Sequence, residues 1–247
     1  MKAFKVLFLT ELKLSLRGMD MIIFAICMPV ALIIILGSIY GGKPAFDGAE
    51  YTFFEQSFGA AAAIALCAAG VMGLPLVISD YRHKKILKRF RVTPASPVLL
   101  LLVQAVINML YAVASLILVY ASARLFFGYR MAGSWIRFLG AYFLVMISIY
   151  SIGVMVGGIA SSTKTANLLC SVLYFPMLVF SGATLPYEVM PAPLQRVADI
   201  MPLTQGIKLL KAASLGLPAD QVLVPLLVML LLAAVCITIS IRLFKWE

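Results

Sequence analysis

Apolar residues run through this chain in long stretches that charge interrupts at only a few places. Uncharged runs fall at Met21 to Tyr40, Gln56 to Ser79, Val92 to Ala123, Phe138 to Thr163, Thr165 to Tyr187 and Gln221 to Ile241. Each reaches the roughly 20 residues that about 30 Å of hydrocarbon asks of a helix. The third is overlong, and "TPASP" within it supplies a start, with Ser96 as N-cap and Pro97 in the first turn. The pattern predicts an all-α integral membrane protein, one domain over residues 1–247 with spans at 21–40, 56–79, 97–123, 138–163, 165–186 and 221–241.

The polar interruptions predict further elements. At the N-terminus, Lys2, Lys5, Lys13 and Arg17 share one sector of a helix, with Phe4, Leu7, Phe8 and Leu14 opposite, so residues 1–18 are expected to lie at the membrane interface. Between the second and third runs, "SDYRHKKILKRFRVTPASP" gathers Arg82, Lys84, Lys85, Lys88, Arg89 and Arg91. On a helix, His83, Ile86, Leu87 and Phe90 follow the i, i+3, i+4, i+7 pattern and form an apolar stripe among those cations. A short amphipathic helix over 80–93 is therefore expected, capped by Ser79 or Asp80 and ended by Pro94. Its stripe suits either lipid or a groove in a soluble partner. Residues 187–220 carry Pro191, Pro193, Pro202 and Pro218 with six charged side chains, so they cannot cross as one helix. Short re-entrant helices at the outer face satisfy both their prolines and their apolar content.

Composition agrees with a membrane protein: the chain is 63% hydrophobic, its mean hydropathy is +1.06, and soluble domains are about 45–50% apolar. The net charge of +10, from 20 basic and 10 acidic residues, is read as topogenic and lipid-facing charge, not as a nucleic-acid surface. With both termini inside, 13 of the 20 cations fall on the cytoplasmic side, so a multi-pass protein of the plasma (inner) membrane with cytoplasmic termini is expected. Arg124, Arg130 and Arg137 disagree, because they fall on the outer side. Met21 to Tyr40 is too long for the apolar core of a signal peptide, about 7–15 residues, and is read as a retained span.

Several chemistries lose support. "GSIYGGKP" approaches a P-loop, but Pro44 stands where the magnesium-binding hydroxyl belongs and no strand is expected before it. No ionisable group lies within the spans to drive proton coupling. Ser181 has no histidine partner, no metal motif is present, and Cys27, Cys67, Cys170 and Cys236 show no ligand spacing. Neither a catalytic residue nor a bound metal or cofactor is expected. Two apolar features remain: Gly153 and Gly157 form a small-xxx-small face for helix packing or a dimer seam. Tyr174, Phe175, Met177 and Phe180 are candidates to line a substrate path.

A basic loop helix ending "RVTPASPVLLLLVQ", followed near the C-terminus by "FSGATLPYEVMPAPLQRVADIMPLTQGIKLLKAASLG", resembles the membrane subunit of type-2 ATP-binding-cassette (ABC) exporters, drug and antibiotic efflux permeases above all. The resemblance covers essentially the whole chain, with the N-terminal stretch similar to the family's connecting helix. It implies that Asp80, Arg82, His83, Ile86, Leu87, Phe90 and Arg91 belong to a coupling helix that docks on a separate P-loop ATPase, two copies per complex, which uses ATP and Mg. It also implies a second permease copy or paralogue and an amphiphilic cargo such as a drug, antibiotic or lipid. On this reading Leu87→Asp or Phe90→Asp leaves insertion intact and abolishes partner binding. The family's acidic residues followed by Gly-Thr-Leu are replaced here by Asp80, His83 and "KKILK". A polysaccharide or glycolipid permease of the same broad family, and a partnerless channel or scaffold, are the alternatives.

Overall fold

A computed structural model describes residues 2–45, 48–49, 51–90, 97–182, 187 and 190–243. An N-terminal helix, Lys2–Arg17, precedes six helices long and apolar enough to cross a membrane: Ile23–Tyr40, Phe53–His83, Val98–Phe127, Trp135–Ile159, Thr163–Phe180 and Asp220–Leu243. Strand-type pairing among the described residues is limited to an isolated bridge between Pro44 and Thr52. That bridge closes the turn between the first two spans, so the near-P-loop sequence is a helix end and turn.

Local chemistry places the helix ends. Span two starts at Phe53, ahead of the charged Glu55, because Thr52 and Glu55 form a capping box. The Glu55 amide donates to Thr52 Oγ1 at 3.2 Å, and the Thr52 amide donates to Glu55 Oε2 at 2.7 Å. Glu55 is thus spent on the first turn, where a carboxylate also suits the helix dipole. Span five starts at Thr163, where Ser162 Oγ accepts the Thr165 amide at 3.1 Å, and it ends at Phe180, six residues short of its expected end. Gly182 beyond it takes φ +83. Among the described residues between the fifth and sixth spans are two short helices, Ala192–Ile200 and Pro202–Leu215. Pro202 opens the second, and Gly216 in the left-handed region closes it.

The second span is the centre of the bundle: 78% of its most apolar window is buried, against 22% in the first, fifth and sixth spans. Its Gly-Ala sequence allows that position, since small side chains let backbones approach. A Cβ at Gly59 would stand 2.8 Å from the Lys211 amide of the helix Pro202–Leu215. One at Gly153 would stand 1.9 Å from the Gly70 carbonyl oxygen, and one at Gly157 would stand 3.0 Å from Pro75 Cα. Gly153 and Gly157 are therefore occupied by packing of the fourth span on the second within one chain. Both the second and the first span carry a π-type turn, Ala68–Gly73 and Ile23–Cys27, and the two turns touch.

The helix Pro202–Leu215 packs at the end of the bundle where the second span begins, and the Gly133 amide donates to Ser214 O there at 2.8 Å. His83 and the cationic stretch lie at the opposite end.

Candidate functional site

The cationic stretch is built differently from the expected single helix over 80–93. The second span runs on through Ser79, Asp80, Tyr81 and Arg82 to His83, so neither Ser79 nor Asp80 is an N-cap, and Ser79 is buried. Lys84 and Lys85 form a turn, with the Lys84 amide donating to Asp80 O and Lys85 at φ +57. A short helix, Ile86–Phe90, follows. The Phe90 side chain, Arg91 and the stop at Pro94 lie outside the described part of the chain.

The turn separates His83 from the stripe it was expected to share with Ile86 and Leu87. Leu87 is 1% exposed and folds back into its own chain, with Ile86 half-buried beside it. What the tip presents outward is polar: His83 and the cations Lys84, Lys85 and Lys88 are exposed, and Lys84 Nζ pairs with Asp80 Oδ2 at 2.8 Å. Leu87 is accordingly a folding residue, and Leu87→Asp would place a carboxylate inside the bundle instead of sparing the fold. That variant is expected to lose at least the roughly 2 kcal/mol at the low end of buried-leucine truncations, because it also buries a carboxylate. The check is a lowered thermal midpoint and a smaller folded fraction on gel filtration in detergent.

Polar side chains tie this tip to the rest of the bundle. Arg82 donates from Nη2 to Gly157 O at 2.5 Å and from Nη1 to Gly158 O at 3.1 Å. These carbonyls belong to the last turn of the fourth span, where a helix leaves its acceptors without intrahelical partners. One turn position earlier, the Tyr81 hydroxyl donates to Glu11 Oε2 of the N-terminal helix. Gln104 Nε2 of the third span donates to the same Glu11 oxygen at 2.8 Å and to the Tyr81 hydroxyl at 2.6 Å. Four helices therefore meet on two adjacent residues, Tyr81 and Arg82. A cavity of about 790 Å³ opens beside them, between the N-terminal helix and the second, third and fifth spans.

Sequence reasoning did not pick out Glu11 or Gln104. The available signal was, for Gln104, an amide within a long uncharged run, which a buried contact explains better than lipid does, and, for Glu11, its being the one acidic side chain of a basic helix. The N-terminal helix otherwise behaves as its pattern suggests. Phe4, Leu7, Phe8 and Leu12 pack on the core, and Lys5, Lys13 and Arg17 are exposed. Leu14, placed with the inward set by periodicity, is exposed instead.

The four candidate path residues of the fifth span do not line one surface. Tyr174 and Met177 are buried against the core, whereas Phe175 points outward and is 56% exposed. Phe180 is half-buried at the helix end.

Residues 2–215 match the family model described as ABC-2 type transporter. Over 101 residues the chain is 31% identical to nodulation protein J of Neorhizobium galegae, a stretch that is 41% of this chain and 36% of that protein's length. With six apolar helices and a family match that covers most of its length, this multi-pass membrane protein belongs to the ABC-2 type transporter family.

Proposed function

We propose that the chain is the permease subunit of an exporter that moves an amphiphilic substrate outward, driven by two copies of a separate P-loop ATPase that use ATP and Mg. The observation that carries this reading is the joint at Tyr81 and Arg82. An exposed cationic tip, His83 to Lys88, continues directly into the most buried helix of the bundle and is tied there to three others. Force applied at the tip has a stiff route into the spans, which is what a coupling element requires. The positive-inside rule puts this end in the cytoplasm, where the ATPase would be.

The bundle centre is packed solid, with Ala61, Ala63, Ile64 and Cys67 at 0% exposure. The translocation path is therefore placed on the outer surface of the bundle, to be closed by a second permease copy or a paralogue. The outward stripe Leu168, Val172, Phe175 and Val179 of the fifth span is one apolar face open to such a copy.

Charge reversal at the tip tests the reading. Lys84→Glu, Lys85→Glu and Lys88→Glu combined alter exposed side chains and leave Leu87 and Arg82 in place. Co-purification of the ATPase is expected to fall at least about tenfold, the equivalent of about 1.4 kcal/mol, while Arg130→Glu at the opposite end leaves it unchanged. Equal ATPase recovery from the triple variant and the parent would remove the tip from docking.

A further inference from the structure

At the end of the bundle away from the cationic tip, a cavity of about 570 Å³ lies between the fourth span, the sixth span and the helix Pro202–Leu215. Its size is within the roughly 300–1,000 Å³ of small-molecule sites. Leu144, Leu209, Leu223, Leu226 and Leu227 line it, with Arg137 and Ser134 toward the fourth span's N-terminus. Leu223 and Leu227 are 59% and 55% exposed, so the groove is open sideways, in the direction lipid would occupy.

Three observations identify its occupant. The first is charge: Arg137 lies in the first turn of the fourth span, a helix of 25 residues. Its opening amides have no intrahelical acceptor, and Ser134 at the N-cap makes no side-chain hydrogen bond to them. A guanidinium beside free amides at a positive dipole end is a receptor for a phosphate oxygen. The second is depth. From Ser134 to Leu144 the groove follows ten residues of helix, about 15 Å at 1.5 Å per residue, which is half of the roughly 30 Å hydrocarbon core. It is as deep as one leaflet. The third is level: Trp135, 41% exposed in the same first turn of the fourth span though outside the groove's lining, is the residue type that marks the headgroup level of a bilayer.

We infer that this groove holds an anionic phospholipid of the surrounding bilayer, its acyl chain along the leucines and its phosphate at Arg137 and the fourth span's N-terminus. The inference is independent of what is transported and of the ATPase. It also gives a reason for the outer arginine that the positive-inside rule does not expect.

Native mass spectrometry of the detergent-purified protein tests it, with dioleoylphosphatidylglycerol and dioleoylphosphatidylcholine added in equal amounts. The parent protein is expected to retain the anionic lipid preferentially. Arg137→Gln is expected to reduce that preference about fivefold, the effect of one cation at a charged lipid surface, and Arg130→Gln, which is exposed but outside the groove, to leave it within about twofold. Gly140→Leu fills the groove from its wall, and a Cβ at Gly140 meets nothing within 4 Å, so the fold tolerates it. That variant is expected to lose both lipids. Equal retention of the two lipids by the parent, equal losses from Arg130→Gln and Arg137→Gln, or undiminished retention by Gly140→Leu would each overturn the assignment.

Discussion

Gly153→Ala is expected to lower the thermal midpoint of the purified protein by about 10 °C, while Gly140→Ala in the same helix leaves it unchanged or raises it slightly. A Cβ at position 153 would lie 1.9 Å from the Gly70 carbonyl oxygen and 3.0 Å from its carbon. Both are backbone atoms, so no rotamer change relieves the clash and the fourth span must move off the second. Room for that movement is short. A Cβ at Gly70 would itself stand 2.6 Å from Tyr150, and the Tyr150 hydroxyl donates to Asn108 O at 2.9 Å. Overpacking a tight core costs about 1–3 kcal/mol and sometimes more, and a backbone-to-backbone clash at the most buried helix belongs at the upper end. Some 3 kcal/mol is a large part of a typical total of about 5–15 kcal/mol, and corresponds to roughly 6–12 °C for a chain of this size. A midpoint within about 2 °C of the parent would mean that the two spans do not approach this closely.

The seam between these spans was legible because small residues four apart have few uses inside a membrane other than close packing. Elsewhere the legible part was the period and the hidden part was tertiary. Six apolar runs gave six helices, yet the second starts before Glu55, since a charge that ends an uncharged run also serves as a capping carboxylate. The cationic stretch has a good amphipathic period over 83–90, but periodicity assumes an unbroken helix, and the left-handed Lys85 resets it. Leu87 then points into its own chain, a direction fixed by neighbours that the local pattern does not contain. Glu11, Tyr81 and Gln104 stand up to 93 positions apart, so their meeting at the joint has no local signature. The fifth span held a signal that went unused. Adjacent residues of a helix differ by about 100° in direction, so Tyr174 and Phe175 were never placed to line one path.

Arg82→Met is expected to separate docking from transport: ATPase co-purification stays near the parental level while substrate export falls tenfold or more. The substitution keeps an apolar stem of similar reach and removes the donors to Gly157 O and Gly158 O. Hydrogen bonds from a charged donor contribute about 1.5–3 kcal/mol each, and the fourth span's closing carbonyls would then be left to water or to nothing. The exposed cations Lys85 and Lys88 lie beyond this joint, so the surface offered to a partner persists, as does the Tyr81 contact to the N-terminal helix. What changes is the connection of the second span's end to the fourth. If closure of the ATPase pair moves the tip, that movement would reach the fourth span less completely, and the coupling between hydrolysis and export would weaken. Arg82→Lys, with a point charge in place of a planar fork, should fall between the two. Parental export by Arg82→Met would show that the tie to the fourth span only braces the fold. Loss of docking along with export would instead make Arg82 part of the tip's own architecture, because a residue that merely transmits motion has no reason to alter the binding of the partner that supplies it.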